Sequence, residues 1–201
     1  MSTHTTNHHV EDPDVVGSRN RLGVILILVA DIAFALSVLF VYFYLKGQNV
    51  NDMWLPKATE DTAAVLPLSS SGAWIVTALA GVGLLSHGSA LRAAKAKQNS
   101  QLVLGSLVAL VLSIGAMAYQ LNLIFSVNFV MGMGSYYSCY MLIAWLNVVH
   151  LALTVFISLG NWNRARLNLY AKDHWHVAIV NVWWLWMFVS SGLGAFALSF
   201  T

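Results

Sequence analysis

The sequence predicts an all-α, polytopic membrane protein, a bundle of five transmembrane helices, and three observations lead there. Of 201 residues, 58% are hydrophobic and only 9% are charged. The mean hydropathy is +0.69, more apolar surface than a water-soluble fold can hide. Five separate stretches are apolar over about the 20 residues that a spanning helix needs. The basic residues fall in alternate connections between those stretches, as they do when a chain crosses a bilayer repeatedly.

In chain order, residues 1–18 are polar and contain His4, His8, His9, Glu11, Asp12 and Asp14. They lack the charged-then-apolar order of a cleavable signal peptide, and they read as a polar cytoplasmic tail ahead of a single transmembrane domain over 19–201. The spans fall at 22–45, 71–93, 102–125, 136–159 and 174–200. In each of them a helix is the one open structure that satisfies its own backbone inside hydrocarbon. The second span is threaded by small residues, among them Gly72, Gly81, Gly83, Gly88 and Ala90, which let helix backbones approach closely. It is therefore expected to pack against protein. Residues 46–70 form the one long connection, where Pro56 and Pro67 argue against a continuous helix and a cap over the bundle is expected.

Arg19, Arg21, Arg92, Lys95, Lys97, Arg164, Arg166 and Lys172 all belong to one face of such a bundle. Lys46 and Lys57, with Asp52, Glu60 and Asp61, belong to the other. Eight basic residues against two place the N-terminus in the cytoplasm and the C-terminus outside. No dense basic tract suits nucleic acid. Cys139 is the only cysteine, so neither an internal disulfide nor a thiolate metal cluster is available.

Functional candidates are the polar groups within apolar spans. Asp31 is the one carboxylate well inside a span, about nine residues into it and so roughly 14 Å from its cytoplasmic end. A carboxylate there is costly to charge and marks either a proton-exchanging site or a hydrogen-bonded packing element. His87 and His150 sit past the middle of the second and fourth spans. They read as hydrogen-bonding elements of the bundle, with a haem clamp as the rival. His174 and His176 flank Trp175 at the start of the last span and read as interfacial. Gln120, Asn122, Asn147 and Asn181 are each placed to bond across helices. The run Trp183, Trp184, Leu185, Trp186 spreads rings around the last helix, some toward lipid and others toward neighbours. No phosphate loop, nucleophile elbow, zinc-helix motif or pair of carboxylates is present, so no catalytic residues and no metal ligands are assigned. A transporter using Asp31 as its proton site is weakened by the lack of an internal repeat.

The stretch from Leu28 to Phe40, with Asp31 in an apolar, Phe-bearing context, resembles the first helix of the five-helix form of subunit III of haem-copper terminal oxidases, as in bacterial quinol and cytochrome c oxidases. The fourth span, with Ser135, Tyr136, Tyr137, Ser138, Cys139 and Tyr140 leading to Asn147 and His150, is similar to that family's small-and-aromatic entry to two histidines three apart. Asn147 stands in place of the first histidine. Trp175-His176 resembles the pair that opens the family's last helix, and Asn181 is the nearest polar substitute for an Asp that follows it. The resemblance also extends to the related accessory protein of nitric oxide reductase. It implies a non-catalytic, multi-pass subunit of a respiratory complex in the bacterial inner membrane, flanking a subunit I that holds the haem and copper. This chain would bind phospholipid and no haem or metal. Asp31 would support proton uptake, and His150 and His176, with Gln120, Asn147 and Asn181, would serve structural or lipid-groove roles.

Overall fold

A computed structural model describes residues 13–58, 66–127, 134–171 and 173–200. Within them the chain forms α1 (Pro13–Gln48), α2 (Ser71–Lys95), α3 (Asn99–Phe125), α4 (Ser135–Arg166) and α5 (Trp175–Leu198), with one 3-10 turn at Val50–Asp52 between α1 and α2. No strand occurs among the described residues. All five helices are long and apolar enough to cross a membrane. The tail histidines, Glu60, Asp61, Lys172 and Thr201 lie outside the described residues.

Helix ends differ from the hydropathy limits, because a helix does not stop where its apolar stretch does. α1 begins at Pro13, inside the tail expected to precede the transmembrane domain, and α4 runs on to Arg166. The C-termini of α2 and α4 close alike. Lys97 and Asn168 adopt left-handed φ of 57° and 56°. The next amides, of Gln98 and Leu169, reach back to the carbonyls of Ala93 and Arg164, a Schellman closure that satisfies otherwise orphaned carbonyls.

Helices α2, α3, α4 and α5 pack as a ring in that order, closed by α5 against α2, while α1 lies outside against α4 and α5. The apolar window of α1 is only 17% buried, against 33% to 39% in the others. Leu26, Ile27, Val29, Leu36 and Phe40 on α1 are exposed, a face suited to lipid or to another membrane subunit.

The small-residue surface of α2 does pack against protein. A Cβ on Gly83 would overlap the Trp184 ring, and one on Gly105 would sit 3.1 Å from the Ala90 Cβ. The expectation that α5 shares its tryptophans with lipid is corrected. Trp183, Trp184 and Trp186 are all buried, because α5 is flanked by α1, α2 and α4, and Leu185 takes the outward position at 51% exposure. Asn122 is likewise exposed near the end of α3 and makes no side-chain bond across helices.

The described parts of the first connection are pinned to α4. Trp54 packs edge-on between Tyr42 and Tyr136. The Tyr136 hydroxyl accepts from the Leu68 amide at 3.1 Å, and the Tyr137 hydroxyl donates to the Leu66 carbonyl at 3.1 Å. Asn49, in a left-handed conformation at φ 36° that Asn tolerates well, accepts from the Trp54 amide at 3.0 Å.

Candidate functional site

Where α1 crosses the groove between α4 and α5, Asp31 meets one polar side chain from each. His150 Nε2 lies 2.8 Å from Asp31 Oδ2, and Trp186 Nε1 donates to the same oxygen. The Asp31 side chain is 19% exposed and that of His150 is 5% exposed. A carboxyl and an imidazole that share one proton carry no net charge, whichever of them holds it. This neutrality makes the site tolerable within hydrocarbon, where a lone Asp costs about 2.5–3.5 kcal/mol.

The pair is held rigidly from behind. Trp183 stands edge-on to the His150 ring, with centroids 6.1 Å apart. Its Nε1 donates to Thr154 Oγ1 at 2.8 Å, and that hydroxyl donates to the His150 carbonyl at 2.7 Å. Leu28, Ala35, Trp183 and Trp186 form an apolar cluster, with Val24 and Ile157 packed against it. Val24 and Leu28 on α1 and Thr154 and Ile157 on α4 lie further along their helices, from Asp31 and His150, toward the side on which α2 and α4 end with Arg92 and Arg164 in their last turns.

On the opposite side of the pair is a cavity of about 50 Å³. Ala35 and Val38 of α1, Gln120 of α3, Tyr140 and Asn147 of α4 and Ser190 of α5 all border it, as does His150. Asn147 Nδ2 donates to Gln120 Oε1 at 3.1 Å, so these two amides bond across helices as the sequence suggests.

His87 belongs to a second centre, inside the ring of four helices. It is fully buried, and its ring nitrogens are 3.3 Å from Asn181 Oδ1 and 3.2 Å from Asn161 Nδ2. Asn161 Nδ2 also donates to Ser106 Oγ at 3.2 Å, and Asn161 Oδ1 accepts from the Tyr170 hydroxyl at 2.8 Å. With the Asn161 nitrogen placed toward His87 Nε2 and Asn181 Oδ1 toward Nδ1, the matching tautomer carries its hydrogen on Nδ1 and donates it to Asn181. A neutral histidine held at both nitrogens offers no open ligand position. His150 is engaged by Asp31 and His87 by two asparagines, so the two histidines belong to separate hydrogen-bonded groups. Burial pushes the Tyr170 phenol above its ordinary value, with the Arg164 guanidinium pulling the other way.

His176 stacks on Trp175, ring centroids 3.4 Å apart, and lies 3.8 Å from Asp173. His174 is exposed at the end of the same helix. These two therefore form an end-of-helix cluster separate from Asp31. The groups that the sequence reading missed are Trp186, Thr154, Asn161, Ser106 and Tyr170. Trp186 was visible as one ring of an aromatic run, without a signal that its indole nitrogen faces a carboxylate. Asn161 lies just past the expected end of the fourth span. No protein-family model matches this chain, and no curated protein matches it.

Proposed function

We propose that this chain is the non-catalytic subunit III of a haem-copper respiratory oxidase complex in a bacterial inner membrane, lying beside a subunit I that holds haem and copper and reduces oxygen. The observation that carries the reading is the contact of Asp31 with His150. Each is a position that the resemblance to subunit III singles out on its own helix, and the fold brings the two within hydrogen-bond distance. The buried chemistry of the chain suits a supporting part: a proton-sharing pair at the outer edge of the bundle, and a neutral histidine network that ties four helices together. The exposed apolar face of α1 beside that pair is where a larger membrane subunit would seat, and phospholipid would cover the remaining apolar surface.

In this role Asp31 and His150 hold and exchange a proton next to the oxygen-reducing subunit, and the Gln120–Asn147 bond keeps α3 and α4 in register. Electron transfer and oxygen chemistry belong to subunit I. The experiment is to purify the complex from native membranes in mild detergent, through a tag on this chain, and to identify the co-purifying chains. A subunit with haem and copper in stoichiometric amount is expected. Recovery of this chain alone, or with its own Soret absorption after separation from all partners, overturns the proposal.

A further inference from the structure

Both contacts of Asp31 fall on one oxygen. His150 Nε2 and Trp186 Nε1 approach Oδ2. Oδ1 has no hydrogen-bonding partner among the described residues and is not enclosed by protein, so it contributes to the 19% of this side chain that is exposed. The surface it reaches is deep in the membrane. Asp31 is roughly 14 Å along the helix from Leu22 and about 21 Å from Leu45, the two ends of the apolar stretch. Lipid headgroups lie outside a hydrocarbon core of about 30 Å, and a polar atom left inside that core without a partner is costly.

The face of α1 beside Asp31 is shaped for another helix. Gly23, Ala30 and Ser37 recur every seventh residue, and Ile27, Phe34 and Val41 recur in the same register between them. All six are exposed. At about 100° per residue, Ile27 and Phe34 lie roughly 40° and 60° round the helix from Asp31, on the same side. This is the two-position heptad repeat of helices packed side by side. Small residues at one position let a partner's backbone approach, and large ones at the other fill the space between the helices. The stripe on the far side of α1 differs. Leu22, Leu26, Val29, Leu36 and Phe40 are exposed there with only Ala33 small among them, a surface suited to acyl chains.

We propose that a transmembrane helix of another subunit lies along residues 23–41 of α1 and gives Asp31 Oδ1 a hydrogen bond from an uncharged donor. The donor is uncharged because the Asp31–His150 pair is already neutral, and a lysine or arginine would leave net charge in hydrocarbon. A second copy of this chain does not fit. Its facing seam brings glycine, alanine, isoleucine, phenylalanine and valine, none with a side-chain donor, and Ser37, whose hydroxyl is donated to the Ala33 carbonyl of its own helix at 2.8 Å. Acyl chains have no donor either. A hydroxyl, amide or indole on a helix of different sequence meets the requirement. The inference rests on the reading of this chain as one subunit of a larger membrane complex, and not on which complex that is.

A benzophenone amino acid in place of Phe34, irradiated in native membranes and read by mass spectrometry, tests it, with the same group in place of Phe40 as the control. Phe34 and Phe40 are both exposed, at 51% and 68%, so exposure alone predicts no preference for Phe34. The expected result is a cross-link from Phe34 to one transmembrane segment of another chain, in yield several-fold above that from Phe40. That segment should carry a serine, threonine, asparagine, glutamine, tyrosine or tryptophan at the depth of Asp31. Ala30→Leu should leave the melting of the purified chain unchanged, because Ala30 is exposed. Recovery of the partner through a tag on this chain should fall at least about fivefold, the effect of overpacking a helix contact. Cross-linking from Phe34 only to lipid or to a second copy, equal yields at the two positions, a cross-linked segment without such a donor, or unchanged recovery in Ala30→Leu each overturns the proposal. If Ala30→Leu does not fold, the pair of cross-links decides. If the cross-link is as expected but no haem-bearing chain co-purifies, the oxidase reading fails and this inference stands.

Discussion

Replacing Asp31 separates the hydrogen-bonding role of this carboxylate from its proton-exchanging role, because asparagine and alanine remove different things. In Asp31→Asn an amide oxygen at the position of Oδ2 still accepts from Trp186 Nε1 and from a hydrogen on His150 Nε2, the two contacts that Asp31 makes through that one oxygen. In Asp31→Ala both partners are left without a bond. A buried donor deprived of its acceptor costs about 1–3 kcal/mol, whereas bonds between membrane helices have measured nearer 0.6 kcal/mol and at most about 1.7. Two lost bonds therefore amount to about 1–3 kcal/mol on the membrane scale. At about 2–4 °C per kcal/mol for a chain of this length, the alanine variant should melt a few degrees to about 10 °C lower. The asparagine variant should stay within about 2 °C of the wild type. Cys139, the only cysteine, is 7% exposed, so a thiol-reactive fluorophore added during heating reports the transition directly. Turnover per assembled complex should then fall modestly in Asp31→Asn, since the amide cannot take up and release the proton. Equal melting temperatures for the two variants, or an asparagine variant that matches wild-type turnover at neutral and alkaline pH, would refute the assignment and leave Asp31 with packing alone.

Gly83→Val should lower the melting temperature by several degrees, because a side chain there meets the Trp184 ring and overpacking costs about 1–3 kcal/mol; the same thiol assay reads it. The folded state holds the Tyr170 phenol protonated above its usual range, with burial as the main cause. Its contribution to stability is thus full below the unfolded value of about 10 and is lost as pH rises through the higher folded value. Tyr170→Phe should remove that part of the alkaline destabilisation while lowering stability at neutral pH, where the bond to Asn161 is lost; an unchanged alkaline melting profile contradicts this. In a background without Cys139, cysteines beside Glu60 and Thr201 should be labelled from outside intact cells and one beside Lys95 should not. External labelling at Lys95 reverses the topology.

The five spans were legible because hydropathy sums over many residues, so that no single polar group hides a span. Their ends were not, since α4 continues past its apolar part through Asn161 to Arg166 and the helical hydrogen-bond ladder is indifferent to where hydrocarbon stops. That extra turn concealed Asn161, and with it the partner of His87. Asp31 stood out as a lone carboxylate, but its two partners come from α4 and α5, and only the packing of α1 into their groove brings them together. Likewise the aromatic run on α5 could be divided between lipid and protein only by knowing how many neighbours the helix has. With three, every tryptophan of the run turns inward. Depth alone suggested that His87 and His150 could face one another; the ring order of α2 to α5, with α1 outside, gives each a different set of partners.

The most direct measurement is oxygen-reduction turnover, per haem, of the respiratory complex proposed for this chain, purified from cells that lack the chain and followed through prolonged catalysis. The account predicts a complex with its full haem absorbance that turns over at first and then declines faster than the intact one. Loss of a haem in the absence of the chain, or sustained turnover indistinguishable from that of the intact complex, would contradict it.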